Sequence, residues 1–437
     1  MITIAVRADA ARLSASERAI LFDRSTSADP AIRVATARLI DRVRTQGDAA
    51  LIAMAREFDG ASLRSLEIPR AEWRRALATL DPQLVAALER AAANIRQVHE
   101  AFKPVAREVM TADGVVVGRR PDPLARVGVY APGGRATYPS SLLMGAVPAR
   151  VAGVGEVIVC SPPTSTGLPA AVLLAAAEIA DVDRLFAVGG AGAIAALAFG
   201  TDSIPRVDRI VGPGNAYVAE AKLQVAGTVA IDSPAGPSEL LVIADDSADA
   251  DIIAREIVAQ AEHDPLAAVV LVTTASRLIG AVERALAPLI ATTPRATIVR
   301  EALAARGGMI TAATLAEAEA FATAYAGEHV LVVCQDGDGV AARLRNAGTV
   351  FVGAANSVAF GDYLSGANHV LPTGGLARSY SGLSTIDFYR WTTWQRVTRT
   401  VAARLAADVG ILADSEGLPG HAATARYWME EGHECDG

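Results

Sequence analysis

Cysteine and long apolar runs are both scarce in this chain. Its 437 residues include three cysteines, Cys160, Cys334 and Cys435, which lie far apart in the sequence. This spacing indicates neither a disulfide framework nor a cysteine zinc site, and it fits a reducing compartment. One of the longest apolar runs, residues 170–177, is much shorter than a membrane-spanning helix. Residues 1–12 carry early charges and lack a continuous apolar core, so we expect no secretory signal and a cytoplasmic location.

Positive charge is also in short supply. Lysine and arginine number 40 against 48 aspartates and glutamates, which gives a net charge of −8. This balance argues against a nucleic-acid partner or an anionic membrane surface. Hydrophobic residues make up 51% and charged residues 20%, as is typical of a globular α/β enzyme. A chain of this length exceeds a single hydrophobic core, so we expect two or more domains.

The order of apolar runs predicts an α/β fold. Residues 31–58 and 70–102 have the amphipathic spacing of helices. From Arg126 onward, short apolar runs alternate with helical segments, which is typical of βαβ units and parallel sheets. We therefore predict two doubly wound, incomplete Rossmann-like modules with a helical N-terminal segment and a C-terminal tail, and we expect ligands at the carboxyl ends of the strands. The expected strands are 127–130, 157–160, 185–188 and 209–211 in one module, and 240–243, 269–273, 297–299, 330–333 and 349–352 in the other.

Glu328 and His329 are adjacent, between a helical run at 314–325 and an apolar run at 330–333. Imidazole titrates near neutral pH and a buried glutamate can be tuned upward, so the pair suits general acid and base catalysis. Neighbouring side chains in extended backbone point to opposite faces, which favours two separate steps. A solvated turn is the alternative interpretation.

Several possible metal ligands lie in the second half of the chain. Gln260 and His263 are at positions i and i+3 near the end of a predicted helix, while Asp362 and His369 lie in a stretch interrupted by glycine. His421 follows near the C-terminus. Imidazole and carboxylate groups suit zinc. Each of these residues could also be structural, and spacing alone does not select the ligands.

Two glycine-containing loops could bind a phosphate. Residues 190–195 fit the G-x-G-x-x-A dinucleotide pattern between a strand and a helix. Close packing of the helix against the sheet is the alternative explanation for the small residues, and it is favoured because no clear acidic partner stands at the end of the next strand. Residues 212–215, Gly-Pro-Gly-Asn, could offer backbone N–H groups to an anion or form a structural turn.

A series of motifs resembles the histidinol dehydrogenase family. The motifs occur in order from the N-terminal helices to the C-terminal tail, and as a set they are highly specific. They are Val-Gly-Val-Tyr-Ala-Pro-Gly-Gly at 127–134, Ile-Val-Gly-Pro-Gly-Asn at 210–215, Ile-Asp-Ser-Pro-Ala-Gly-Pro-Ser-Glu at 231–239, Gln-Ala-Glu-His at 260–263, Glu-His at 328–329, Gly-Asp-Tyr at 361–363, Asn-His-Val-Leu-Pro-Thr at 368–373, and Glu-Gly-Leu-x-x-His at 416–421.

The resemblance implies an enzyme that uses zinc and NAD to oxidise L-histidinol, through L-histidinal, to L-histidine. It also implies a homodimer with exchanged segments, in which the C-terminal tail acts in the partner's active site. The implied residues are Glu328 and His329 for catalysis; Gln260, His263, Asp362 and His421 for one zinc ion per subunit; Ser238, Gln260, His263, His329, Asp362, His369, Glu416 and His421 for substrate binding; and Tyr130 and Asn215 for the cofactor.

The same resemblance suggests domain boundaries. We expect an N-terminal extension at residues 1–26 and a discontinuous α/β domain formed by 27–129 with 239–383. A second α/β domain, 130–238, would bind the cofactor. Residues 384–437 would form the tail that reaches the partner subunit.

This sequence departs from the family pattern at Gly192, where the family usually has a glutamine that contacts NAD. A cofactor role for Gly192 is therefore open, as is the choice between NAD and NADP. The tail at 420–428 and the segment with Trp391 and Trp394 are also unusual. Two alternatives remain: a family relative that oxidises another polar alcohol, such as a sulfonated diol, and a two-lobed small-molecule binding protein without catalysis.

Overall fold

The computed structural model describes residues 2–24, 29–133 and 137–429. Gly134 of the 127–134 motif and Cys435 lie outside the described residues. The chain divides into two compact units, one formed by Met1–Phe102 with Leu124–Phe388 and the other by Lys103–Pro123 with Tyr389–Gly437. Within the described ranges, no helix is both long enough and apolar enough to cross a membrane.

The strands alternate with helices through most of the chain, as predicted. The strands are β1 (Val6–Asp9), β2 (Arg107–Met110), β3 (Val116–Pro123), β4 (Arg126–Tyr130), β5 (Glu156–Ser161), β6 (Arg184–Ala187), β7 (Arg209–Val211), β8 (Ala230–Ile231), β9 (Glu239–Ala244), β10 (Ala268–Thr273), β11 (Gly307–Thr311), β12 (His329–Val333), β13 (Thr349–Val352) and β14 (Tyr389–Arg396).

The helices are α1 (Ala15–Phe22), α2 (Pro30–Gln46), α3 (Asp48–Phe58), α4 (Arg70–Thr79), α5 (Pro82–Ala101), α6 (Pro139–Ala152), α7 (Ala171–Ile179), α8 (Gly190–Phe199), α9 (Ala216–Val225), α10 (Ala250–Ala261), α11 (Ser276–Thr292), α12 (Ala296–Arg306), α13 (Leu315–Tyr325), α14 (Gly337–Arg343), α15 (Val358–Tyr363), α16 (Arg399–Ser415) and α17 (Pro419–Arg426). Short 3₁₀ segments lie between them.

A parallel six-stranded sheet, in the order β1-β11-β10-β9-β12-β13, forms the larger module of the first unit. Its central strands read as continuous apolar runs because helices cover both faces. In β9, Leu240 and Val242 belong to the core on one face, while Leu241 and Ile243 belong to the core on the other. This sheet confirms the predicted α/β class.

A parallel five-stranded sheet, in the order β6-β5-β4-β7-β8, forms the other module of the first unit. Helices α2 and α3 pack against α8, while α4 and α5 pack against α7 and α6. We expected residues 27–129 to belong with the six-stranded sheet, but the described helices of this segment cover the five-stranded one. The reason is their apolar face, since Ile40, Val43 and Leu51 share a core with Ile194 of α8.

The strand expected at 297–299 is wrong, because these residues belong to α12. Val299, Ala302 and Leu303 are buried at the three- and four-residue spacing of one helix face. The strand at this place in the sheet is β11, which begins with Gly307 and Gly308 and so carries a weak strand signal. A side chain at Gly308 would come within 3.0 Å of Leu21, so glycine allows close packing there.

The second unit contains an antiparallel sheet in the order β14-β3-β2 and the helix pair α16 and α17. Trp394 of β14 lies over Gly118 of β3, where an added side chain would come within 2.1 Å of the indole ring. This contact accounts for the tryptophan in a segment whose composition is unusual. The tail thus folds together with residues 103–123.

Candidate active site

The Glu328–His329 pair lies at the amino end of β12, inside the six-stranded sheet. α13 ends at Tyr325, and Ala326 then adopts a left-handed conformation, with φ of 52°. β12 lies between β9 and β13, and His329 is aligned with Leu240 of β9. Glu328 is 6% exposed and His329 is 4% exposed. The alternative interpretation of a solvated turn is therefore wrong.

Glu239, the first residue of β9, forms crossed hydrogen bonds with Glu328. The Glu239 N–H donates to Glu328 Oε2 over 2.7 Å, and the Glu328 N–H donates to Glu239 Oε2 over 3.3 Å. Glu239 is not among the site residues predicted from the sequence. The available signal was a carboxylate that ends the 231–239 motif and begins an otherwise apolar, fully buried strand.

The surroundings of His329 define which ring nitrogen carries the proton. Its Nδ1 lies 2.9 Å from the Glu239 carbonyl oxygen and 3.4 Å from Glu328 Oε2, so Nδ1 is the donor in the neutral ring. Nε2 is buried, has no hydrogen-bond partner among the described residues, and lies 3.6 Å from Asp362 Oδ1. Burial lowers the pKa of His329, but the charges of Glu328 and Asp362 raise this pKa well above its ordinary value. Nε2 is thus the atom that takes up a proton.

Asp362 lies in the short helix α15, whose start is held by side chains. The Val358 N–H donates to Glu256 Oε2 over 3.1 Å, and Ser357 caps the helix with its hydroxyl. Glu256 belongs to α10, one turn before Gln260. The two segments that carry predicted zinc ligands are therefore connected by a buried hydrogen bond.

Three histidines influence Asp362. Burial raises the pKa of Asp362, but the nearby imidazole rings of His329, His369 and His263 lower it overall. His369 Nδ1 lies 2.8 Å from the Asp362 carbonyl oxygen, and its Nε2 lies 3.1 Å from Ser141 Oγ. Burial lowers the pKa of His369, so the neutral ring donates to the carbonyl and accepts from Ser141.

Gln260 and His263 lie at the end of α10. Gln260 is in the last turn and is 3% exposed, and His263 follows the helix cap and is half-buried. With Asp362, they supply an amide oxygen, an imidazole nitrogen and a carboxylate oxygen, which are donors that suit zinc. Across the described part of the chain, no group of three or more His, Cys, Asp or Glu side chains is gathered closely enough to hold a metal ion. The donors fit zinc in kind, but a four-ligand site would need a further ligand.

Ser238 lies beside this cluster, whereas two other predicted residues belong to the second unit. Ser238 directly precedes β9 and is half-buried, and its carbonyl accepts from Ala268 N over 3.0 Å. Glu416 is the C-cap of α16 and His421 lies in α17, and both are exposed. The first unit thus gathers most of the candidate catalytic and substrate residues, while the roles of Glu416 and His421 stay predictions.

The predicted cofactor residues lie at the carboxyl edge of the five-stranded sheet. Tyr130 is the last residue of β4, and its hydroxyl accepts from Gly190 N, at the start of α8, over 3.1 Å. Burial raises the pKa of Tyr130 to about 12. Asn215 is the N-cap of α9, where its Oδ1 accepts from the N–H groups of Tyr217 and Val218.

The loop between β7 and α9 is held by a buried ion pair between Lys222 and Asp232. Lys222 Nζ donates to the Gly212 carbonyl over 3.1 Å, and the Gly212 N–H donates to Asp232 Oδ2 over 2.7 Å. Gly212 has a φ of 118°, and an added side chain would come within 2.1 Å of the Tyr130 carbonyl oxygen. Glycine is required here because β4 and the loop approach so closely.

Gly192 faces another helix. It is buried in α8, and an added side chain would come within 3.0 Å of Met54 Sδ and 3.2 Å of Leu51 Cδ2, both on α3. This geometry favours helix packing as the reason for the small residue, which was the alternative to a dinucleotide fingerprint.

The two groups of candidate residues therefore occupy different edges of their sheets. Around the five-stranded sheet they follow the carboxyl ends of strands, as expected. Around the six-stranded sheet they lie at the amino ends of strands instead, because Glu239 and His329 are the first residues of β9 and β12. Gln260 and His263 lie at the same edge, because α10 returns from the end of β9 to the start of β10, which is parallel to β9.

Comparison with known proteins gives one consistent family. A family model described as histidinol dehydrogenase matches residues 22–429. A histidinol dehydrogenase of Methanosarcina barkeri is 42% identical over 415 residues, which cover 95% of each protein. One of Halobacterium salinarum is 46% identical over 422 residues, covering 96% of this chain and 98% of that protein.

The fold agrees with this assignment. The crystal structure of histidinol dehydrogenase from Elizabethkingia anophelis superposes with a TM-score of 0.93 at 31% identity, and the match covers 98% of both chains. The predicted resemblance is thereby confirmed. The chain belongs to the histidinol dehydrogenase family and is an oxidoreductase.

Proposed function

We propose that this protein oxidises L-histidinol, through L-histidinal, to L-histidine in the cytoplasm, with NAD as hydride acceptor and one zinc ion per subunit. The observation that carries the proposal is the buried Glu328–His329 pair, whose free nitrogen, His329 Nε2, has no hydrogen-bond partner among the described residues. Such a base suits alcohol oxidation, since a proton must leave the oxygen when hydride leaves the carbon.

His329 is the base of the first oxidation in this proposal. With Asp362 bound to the metal, its charge would no longer raise the pKa of His329, and the neutral ring would take the hydroxyl proton at Nε2 as hydride leaves the carbinol carbon for NAD. The Glu239 carbonyl holds the proton on Nδ1, so the ring presents Nε2 in one tautomer and one orientation. The products of this step are the aldehyde, NADH and a protonated imidazole.

Glu328 serves the second oxidation. Because its Oε2 accepts the Glu239 N–H, Oε1 is the oxygen that takes a proton from the water that adds to the aldehyde. The hydrate anion formed in this way would lose a hydride to a second NAD and give the acid, and the acid and Glu328 would then each release a proton to solvent. Two adjacent side chains thus perform the two steps that the sequence pattern suggested.

Gln260, His263, Asp362 and His421 would hold the zinc. When bound, the metal would supply a Lewis acid that orients the nitrogen atoms of the substrate. Ser238, His369 and Glu416 would contact the substrate, together with the four zinc ligands and His329. We propose that Glu416 and His421 act in the partner subunit of a homodimer, and that Tyr130 and Asn215 contact NAD.

A substrate panel tests the activity. Purified protein is incubated with L-histidinol, L-histidinal or a sulfonated diol, with either NAD or NADP, and the reduced cofactor is followed by absorbance. Turnover of histidinol and histidinal with NAD supports the proposal. Turnover of the diol alone would favour a relative with another substrate, and binding without turnover of any of these compounds would contradict an enzymatic role.

Metal removal tests the zinc assignment. Chelation should abolish histidinol oxidation, and His263→Ala and Asp362→Ala should each leave little bound zinc by elemental analysis, because loss of one ligand from a four-ligand site is rarely tolerated. His99→Asn is the control, since His99 lies on α5 beside Thr385 and should leave the zinc content unchanged. Full activity after complete metal removal would overturn the assignment.

A further inference from the structure

Glu239 contacts both members of the Glu328–His329 pair, and it uses all of its polar groups to do so. Its N–H binds the Glu328 carboxylate, its carbonyl lies beside His329 Nδ1, and its own carboxylate accepts the Glu328 N–H. The register of β9 and β12 produces these contacts, because His329 is paired with the residue after Glu239. A displacement of Glu239 would therefore move both side chains of the pair.

Arg24 connects Glu239 to the turn that leads into the pair. Its Nη1 lies 2.9 Å from Glu239 Oε2, and its Nη2 donates to the Tyr325 carbonyl. The guanidinium lies 3.5 Å from the centre of the Tyr325 ring. Tyr325 ends α13, so a cation at its carbonyl also complements the negative end of the helix dipole. Arg24 thus binds Tyr325, where the turn starts, and also the Glu239 carboxylate, which accepts the Glu328 N–H at the end of the turn.

A contribution to stability alone is a weak explanation for this ion pair. The side chains of Arg24 and Glu239 are 4% and 3% exposed, so both charges have lost their hydration. An apolar pair of similar size is often as stable as a buried ion pair. Burial raises the pKa of Glu239 to about 7 although Arg24 and the Gly374 N–H both bind its carboxylate. The hydrogen bonds of Glu239 to Glu328 and His329 instead indicate that it sets the positions of these two residues.

We propose that Arg24 and Glu239 are positioning residues, which hold the His329 ring for oxidation of the alcohol and the Glu328 carboxylate for oxidation of the aldehyde. This inference rests on the proposed function, and it adds two residues whose side chains act through the catalytic pair. Arg24 lies 215 residues from Glu239 in the sequence, in the segment before α2. The N-terminal segment would then contribute to catalysis as well as to the fold.

A double-mutant cycle on histidinal oxidation tests the proposal. Glu239→Gln keeps the size of the side chain but turns one acceptor into an N–H₂ donor, which cannot satisfy the donors of Arg24, Gly374 and Glu328 together. We expect kcat to fall by about ten- to hundred-fold, because small misplacements of reacting groups have effects of this order. The KM for NAD should stay within about two-fold. In a Glu328→Gln background, the same substitution should change kcat for histidinal by less than about three-fold, since the Glu328 carboxylate, which is the positioned group that acts on the aldehyde, is already lost.

The comparison between backgrounds separates positioning from a general loss of structure. Equal losses of kcat in both backgrounds would overturn the proposal, because a protein that is merely less well folded loses activity in either one. Val282→Ala, a buried position on α11, is the control that should lower the melting temperature without a difference between backgrounds.

Arg24→Lys provides a second variant if Glu239→Gln yields too little folded protein. Lysine keeps the charge but cannot bind Glu239 and Tyr325 with the same fork, so we expect a smaller loss of kcat that also disappears in the Glu328→Gln background. A loss that persists there would overturn the proposal. If the unsubstituted protein oxidises no histidinal, the proposed function itself fails, whereas equal losses in an active enzyme refute only the positioning role.

Discussion

The six-stranded and five-stranded sheets are built alike, but their candidate residues lie at opposite edges. In the six-stranded sheet, Glu239 and His329 begin adjacent strands and belong to the hydrogen-bonded ladder. In the five-stranded sheet, Tyr130 ends β4, and the Gly212 and Asn215 loop follows β7. Both strand pairs are central in their sheets, at the positions where the strand order reverses.

The two locations give the candidate residues different backbone surroundings, which suit different functions. His329 and Glu239 have backbones fixed by neighbouring strands, so the directions of their polar groups are fixed too, as suits a base that must meet one proton. The loop after β7 instead offers backbone N–H groups and a helix start, which suit binding of a phosphate-containing ligand. We therefore expect substitutions in the six-stranded module to change the chemical steps and those in the five-stranded module to change cofactor binding.

The largest expected effect comes from the pair itself. His329→Asn should slow histidinol oxidation by about 10²- to 10⁴-fold, the usual contribution of a general base, whereas Glu328→Gln should slow histidinal oxidation more than histidinol oxidation. The KM for NAD should stay within about two-fold in both variants. Steady-state kinetics on each substrate measure these values.

Glu319→Gln is the matched control, because Glu319 lies on α13 but pairs with Arg343 at the surface. It should leave both oxidation rates unchanged. Equal losses on the two substrates in both catalytic variants would contradict separate roles for Glu328 and His329. A large rise in the KM for NAD in either catalytic variant would contradict the assignment of the chemical steps to the six-stranded sheet and of cofactor binding to the five-stranded sheet.

The next effect concerns the five-stranded sheet. Gly212→Ala places a methyl group against the Tyr130 carbonyl in a conformation that disfavours side chains, so the loop must move. We expect the KM for NAD to rise by about ten-fold, since a displacement of the loop costs at least one or two hydrogen bonds. Zinc content should not change. Gly227→Ala is the control, since nothing lies within 4 Å of a side chain added there.

If Gly212→Ala instead lowered kcat and left the KM for NAD unchanged, the loop would serve the chemical step. The functional separation of the two sheets would then be wrong. Titration of NAD binding by fluorescence checks the same point without turnover.

The sequence predicted the larger features of this molecule because they depend on local patterns. Alternating apolar runs indicated two parallel sheets, and the adjacent Glu328 and His329 identified the centre of the candidate site. The strand β11 was missed because its paired glycines carry little strand propensity, while the helical spacing of α12 was mistaken for a strand. The contact between Arg24 and Glu239 had no local signal, because it joins residues that are far apart in the chain.

Two buried histidines give a comparison at smaller scale. His329 has carboxylates on both sides, whereas His99 accepts a hydrogen bond from Thr385 N at Nδ1, and its Nε2 has no partner in the described ranges. Burial lowers the pKa of His99 to about 4. The unfolded chain therefore binds this proton more tightly, so the contribution of His99 to stability is present above about pH 6.5 and is lost as the pH falls toward 4.

His99→Asn should remove this dependence, because asparagine can accept from Thr385 N but does not titrate. Between pH 7.5 and pH 5, the unsubstituted protein should lose about 2 kcal/mol more unfolding free energy than the variant. Urea denaturation at both pH values measures the difference. Identical pH dependence in the two proteins would show that His99 can gain a proton within the folded state.

The smallest effect is expected at Gly192, where the two interpretations of α8 can be separated. A methyl group there would contact Met54 and Leu51, and these side chains would have to move by a few tenths of an ångström. On the other hand, alanine stabilises a helix by about 1 kcal/mol relative to glycine. These contributions oppose one another, so Gly192→Ala should change the unfolding free energy by less than about 1 kcal/mol and leave the KM for NAD unchanged. Calorimetry and cofactor kinetics provide the two measurements. A severalfold change in this KM with unaltered stability would instead mean that the cofactor reaches the start of α8, and the binding site of the five-stranded sheet would extend from β4 and β7 to the loop after β6.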